Sequence, residues 1–133
     1  MNRLFALLVC ASSLAGCRDG QPIVQEMTRV ASPDSQWEAI LEQVDNGLGF
    51  GQGMAYHEIH IQPVGSRVTY HRDESASLIF YVEVASEPPP RLEWAGQRRL
   101  VVAHTAAVTP GRQLERYMDV DIQYEPRPKT QLE

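Results

Sequence analysis

Four groups of residues have types and spacings that suggest chemistry. Cys10 and Cys17 stand seven residues apart, each closing a run of apolar and small side chains. His57-Glu58-Ile59-His60 sets two imidazoles around a carboxylate, Asp119 and Asp121 are carboxylates two residues apart, and Gly47-Leu48-Gly49-Phe50-Gly51-Gln52-Gly53 has glycine at every second position. A thiol is a nucleophile or an attachment point. Imidazoles with a carboxylate suggest a metal or a proton relay, paired aspartates an acid and a base, and a glycine-rich stretch a phosphate cradle.

Spacing removes most of these readings. The metalloprotease motif H-E-x-x-H needs histidines four apart on one helical face. His57 and His60 are three apart in a segment of strand-like alternation, which sends them to opposite sides. A metal would then need His57 to meet His71 or His104 across strands. Asp119 and Asp121 share a face, but the alternation around them is that of a solvated strand surface, whereas a catalytic acid needs burial to stay protonated. The glycine-rich stretch lacks G-x-G-x-x-G and G-K-[ST], and it leads into a strand instead of the helix N-terminus that holds phosphate. It reads as an adaptable loop that lifts Phe50, and Phe50, Gln52 and Tyr56 are its candidate partner-binding residues. No G-x-S-x-G elbow is present. The expectation is no catalytic residue, no metal and no cofactor.

The thiols belong to the N-terminal segment. Met1, Asn2 and the single cation Arg3 precede thirteen uncharged residues, Leu4 to Gly16, shorter than the roughly 20 needed to span a bilayer. The build is that of a secretory signal peptide. Within it Leu14-Ala15-Gly16-Cys17 resembles the lipobox of bacterial lipoprotein precursors. Cys10 does not fit, because bulky Val9 stands where that family has a small residue. The resemblance implies cleavage between Gly16 and Cys17 and acylation of Cys17 as the first mature residue. It also implies anchoring to a membrane through that lipid. Arg18, not aspartate, follows the cysteine, so the resemblance implies export to the periplasmic face of the outer membrane.

Removing residues 1–16 leaves 117 residues, enough for one domain. Arg3 is the only charge lost, so 11 Lys and Arg face 17 Asp and Glu, a net charge of −6. That balance argues against a nucleic-acid partner. Cys17 is then the only thiol left, which excludes an internal disulfide.

The rest of the chain alternates with period two. Strands are expected at Ile23 to Val30, at Trp37 to Val44, and at Tyr56 to Gln62, closed by Pro63. In the second of these Trp37, Ala39 and Leu41 face one way and Glu38 and Glu42 the other; in the third Ile59 and Ile61 alternate with Glu58 and His60. Leu78 to Val82 and Leu100 to Ala103 are apolar at successive positions and read as central strands, covered on both faces. Glu87-Pro88-Pro89-Pro90 is a stiff connector into a hairpin of Arg91 to Trp94, the turn Ala95-Gly96-Gln97 and Arg98. The last strand, Met118 to Tyr124, points Met118, Val120, Ile122 and Tyr124 inward. Val68 to Ser77 is a candidate short helix, and 125–133 a flexible polar tail.

SPDSQWEAIL and RLEWAGQRRLVV resemble the opening and closing strand units of propeller-type blades, with Ser35 where that pattern has glycine. The chain is too short for a ring of blades. The expected fold is all-β: a small antiparallel sandwich or barrel-like sheet over 23–124, tethered through 17–22 and preceded by the cleaved peptide. The function expected is that of a lipid-anchored, non-catalytic binding module for a protein or cell-wall partner. The alternatives are an immunity or inhibitor lipoprotein against a wall-degrading enzyme, and a hydrolase or metal enzyme. Nothing in the sequence specifies an oligomeric state.

Overall fold

A computed structural model describes residues 22–47, 54–66, 77–84 and 87–132. The described residues form two packed sheets with no α-helix, an all-β sandwich. The strands are β1 (Ile23–Ala31), β2 (Trp37–Asp45), β3 (Ala55–Pro63), β4 (Leu78–Glu83), β5 (Arg91–Gly96), β6 (Arg99–Thr105), β7 (Arg112–Gln113), β8 (Arg116–Tyr117) and β9 (Val120–Arg127). One sheet has the order β1-β2-β3-β4-β7, the other β5-β6-β9-β8. Pairing is antiparallel except between β6 and β9, which run parallel.

The β1–β2 connection is built by the residues of its turn. Ser32 Oγ donates to Asp34 Oδ1 at 2.6 Å and accepts from the Trp37 amide at 3.1 Å, while the Gln36 amide donates to Asp34 Oδ1 at 3.2 Å. Short polar side chains that bond nearby backbone favour such turns over strand. Ser35 has φ of 55°, the left-handed region, where a Cβ is crowded. The blade-type pattern has glycine at this position.

The core lies between the sheets. Ala39, Leu41, Ile59, Ile61, Ile79, Phe80 and Val82 meet Leu100, Val102, Val120 and Ile122 across the gap. Phe80 stacks on Tyr124 with ring centroids 5.6 Å apart and lies 5.4 Å from the His104 ring. Leu78–Glu83 and Arg99–Thr105 are interior strands of their sheets, as their unbroken apolar runs suggest. Trp37 and Trp94 are half-buried at the edge of the core, and Trp94 Nε1 donates to the Val30 carbonyl at 3.0 Å, joining β5 to β1. On the opposite side the chain crosses from β7 in one sheet to β8 in the other. Tyr124 Oη secures that crossing, 2.9 Å from the Leu114 carbonyl and 3.2 Å from that of Ile79. At one end Arg98 bonds Asp34 at 2.5 Å, Gln36 at 2.5 Å and Asp119 at 2.7 Å, tying three turns together.

Three placements differ from the sequence reading. Met118 does not point inward; it has φ of 55°, is 71% exposed and forms the β8–β9 turn with Asp119. The antiparallel expectation fails for β6 and β9, because β9 is inserted beside β6 after the chain has crossed both sheets. Strand β9 also continues past Tyr124 to Arg127, and after a short 3₁₀ turn Leu132 is buried, its carbonyl accepting from Arg91 at 2.6 Å. The candidate helix over Val68 to Ser77 lies outside the described residues but for Ser77, which is in a turn.

Two substitutions test this account in chemical denaturation. Ser35→Gly relieves the left-handed backbone and should raise stability by up to about 1 kcal/mol. Tyr124→Phe should lower it by about 1–2 kcal/mol through the lost hydroxyl bonds.

Candidate functional site

Strand β2 pairs with β3 without a slip from Trp37↔Pro63 to Asp45↔Ala55. Glu38 therefore lies beside Gln62, Ile40 beside His60, Glu42 beside Glu58 and Val44 beside Tyr56, all on the face turned away from the inter-sheet core. The alternation places these residues together, but the surface is not solvated. Glu38, Glu42, Glu58, His60 and Gln62 are between 1% and 6% exposed, and Ile40 and Val44 are fully buried. Strands β2 and β3 are withdrawn from water on both faces.

Buried polar groups need partners. Glu38 has them: Gln62 Nε2 donates to its Oε1 at 2.7 Å, and Arg29 from β1 reaches the same oxygen at 2.5 Å. Arg29 also forks onto Glu26, which lowers that carboxyl below its ordinary value and raises the guanidinium. Deeper in the row, His60 Nδ1 bonds Ser77 Oγ at 3.1 Å, and its Nε2 lies 3.5 Å from Glu58 and 3.8 Å from Glu42. Glu42 Oε2 and His60 Nε2 are buried without a hydrogen-bond partner among the described residues. Burial pushes the Glu42 carboxyl up, His60 opposes that, and the nearby carboxylates Glu58 and Glu26 add to it.

Chemically this is an imidazole between two carboxylates at distances beyond a direct bond, an arrangement that can take up or share a proton. Among the described residues no group of three or more His, Cys, Asp and Glu is placed to hold a metal ion. His57 and His60 do face opposite sides, His57 lying beside Gln43 and Val82. Burial lowers His57 below the ordinary imidazole value. His104 is buried in the second sheet with Nδ1 3.0 Å from the Thr105 carbonyl, and His71 lies outside the described residues. Asp119 is held by Arg98 in the β8–β9 turn, and Asp121, in β9, lies 3.8 Å from Arg116; both are more than half exposed, but they do not share a strand face, because β9 begins only at Val120.

Of the other predicted site residues, Gly16, Cys17, Phe50 and Gln52 lie outside the described residues. Tyr56 is described and half-buried. Its ring meets Tyr81 edge-on with centroids 6.1 Å apart, and its hydroxyl lies 3.1 Å from Met54 Sδ, a side chain 48% exposed. Gly111 packs against the Tyr81 ring so closely that a Cβ there would overlap it. Tyr56, Tyr81 and Met54 thus form a partly exposed patch at the end of β2 and β3 where the Gly47–Gly53 connection is rooted. Sequence reasoning found Tyr56 through that loop, but not Tyr81, which sits within an apolar run. A separate cleft of about 350 Å³ lies between β1 and β5, lined by Met27, Leu41, Pro90, Arg91, Leu92 and Leu132 among others.

The buried carboxyl sets a pH dependence. The Glu42 pKa is raised in the fold, so its contribution to stability is fully present below the unfolded value of 4.5 and is lost as pH rises through the folded value. His57 works the other way: its contribution is present above 6.5 and is lost as pH falls through its lowered value. Glu42→Gln should therefore melt higher than the parent at about pH 8, with the difference shrinking toward about pH 4, as followed by thermal denaturation.

Comparison with protein-family models, curated proteins and solved structures gave no match.

Proposed function

We propose that the protein is a lipid-anchored envelope protein. It is held by an acyl group on Cys17 at the periplasmic face of the outer membrane and acts as a non-catalytic binding module for an envelope component. The anchor is supported by Leu14-Ala15-Gly16-Cys17 at the end of a short apolar segment. Two or more acyl chains hold a protein to a bilayer firmly, at about 0.8 kcal/mol per buried methylene.

The observation that carries the binding role is the Tyr56–Tyr81 pair beside exposed Met54. Aromatic rings held edge-to-face lose little conformational freedom on contact, and a thioether adapts to irregular surfaces. The Glu42–Glu58–His60 cluster is a poorer candidate for chemistry on a substrate, since each side chain is at least nine-tenths buried. Phe50 and Gln52, in the sequence between β2 and β3, remain candidates for the same contact.

Metabolic labelling with a fatty-acid analogue tests the anchor: the parent and Cys10→Ser should carry label, and Cys17→Ser should not. Crosslinking in intact envelopes tests the patch. Tyr56→Ala should weaken capture by about 2 kcal/mol, measured well below the melting temperature, which falls as Tyr81 loses its edge-on partner; unchanged capture would remove Tyr56 from the contact.

A further inference from the structure

The register of the five-stranded sheet places several separate observations at one end of it. Ile23, the first residue of β1, pairs with Asp45, the last of β2, which pairs with Ala55, the first of β3. Val24, Val44, Tyr56 and Glu83 form the next row. This end carries exposed apolar side chains: Ile23 is 68% exposed, Met54 48% and Val24 39%. The half-buried Tyr56 and Tyr81 stand beside them. Met27, 40% exposed, lies further along the same edge strand at the slip in β1–β2 pairing.

The length of chain before β1 says what this end faces. Ile23 is six residue steps from Cys17 along the chain. Fully extended, they reach at most about 22 Å. The opposite end of the sheet lies roughly 26 Å further on, the span of a nine-residue strand. An acyl anchor on Cys17 therefore holds Ile23, Val24 and Met54 close to the lipid surface. At the far end Val64 and Met118 are also exposed, but Met118 is set beside Asp119, Arg98 and Asp34, charges that favour water. A net charge of −6 gives the domain no attraction to anionic headgroups, so contact with a bilayer has to come from apolar and aromatic side chains. The end nearest the anchor supplies these. Tyrosine suits the headgroup boundary, with an apolar ring and a polar tip.

We infer that the end of the five-stranded sheet bearing Ile23, Val24, Met54 and Tyr56 docks on the membrane that holds the anchor. The lipid surface is thus the ligand of the proposed patch, and it fixes the orientation of the sandwich. The inference rests on the acylation of Cys17 proposed above. Lipid anchoring alone would leave the domain free to tumble on its tether; docking presents the charged Arg98 end to the periplasm.

The experiment uses the acylated protein purified from envelopes, with the lipid on Cys17 established by mass spectrometry. Because the sulfur of Cys17 is blocked by lipid, a single introduced cysteine takes up a fluorescent label uniquely. Ile23→Cys, Met54→Cys, Val64→Cys and Met118→Cys are labelled and reconstituted into phosphatidylethanolamine and phosphatidylglycerol vesicles carrying a nitroxide at the headgroup. Labels at 23 and 54 should lose emission, and those at 64 and 118 should keep it. In a protein labelled through Val24→Cys, the added pair Ile23→Ser and Met54→Ser should lower quenching severalfold, to what the tether alone leaves, while acylation and melting temperature stay unchanged. Acylated protein whose labels at 23 and 54 stay bright, or whose two ends are quenched alike, overturns the docking and leaves the anchor standing. Energy transfer between labels at 23 on separate molecules, without lipid quenching, assigns the patch to a second copy and also overturns it. Protein without lipid on Cys17 overturns both readings.

Discussion

Apolar burial between the two sheets is the constraint on which the other features depend. Both cysteines precede β1, so no disulfide staples the described residues. Their fold rests on packing and hydrogen bonds. Phe80 is central to that packing: fully buried, it touches the Tyr124 and His104 rings of the second sheet. The side chains around it are mostly branched aliphatics, which suit a pleated and close-packed surface. Once these faces meet, the chain must close the open sides of the sandwich. Trp94 on Val30 closes one, and the β7–β8 crossing under Tyr124 closes the other.

Strands β2 and β3 of the five-stranded sheet are buried on their second face too, and the protein bears a cost there. Glu38 is satisfied by Arg29 and Gln62, whereas Glu42 and His60 keep unpartnered atoms among the described residues. A buried carboxyl held up by desolvation opposes folding at neutral pH. The polar row is nevertheless consistent along β2 and β3, each carboxylate lying beside an imidazole, an amide or another acid. Its arrangement makes the stability of the sheet respond to acid in one direction through Glu42 and in the other through His57.

The two ends of the sandwich differ in kind. One is bound by Arg98 to Asp34, Gln36 and Asp119, a network of charge-assisted bonds among three turns. The other carries aromatic and aliphatic side chains around Tyr56, and it is the end from which the chain runs back toward Cys17. This polarity along the strands links the fold to the proposed envelope role, because a tethered domain meets its surroundings differently at its near and far ends.

Local rules were enough for much of this. Period-two alternation located β2, β3 and β9, because a pleated strand shows its face assignment in its own residues, and unbroken apolar runs located the interior strands β4 and β6. The turn chemistry of Ser32-Pro33-Asp34-Ser35 located the first hairpin. Histidines three apart on a strand had to diverge, and they do. Tertiary structure alone decided the rest. Alternation shows that Glu38, Glu42, Glu58 and His60 share a face, but not whether that face meets water or protein. The parallel pairing of β6 with β9 joins segments about twenty residues apart through a crossing of both sheets, and no residue in either strand encodes it locally. Met118 continued the apolar alternation of β9 yet stands in a turn, since the two-residue hairpin from β8 ends the strand at Val120. Leu132 is buried because β9 returns the chain to the cleft beside β5, a closure set by where the strands end in space.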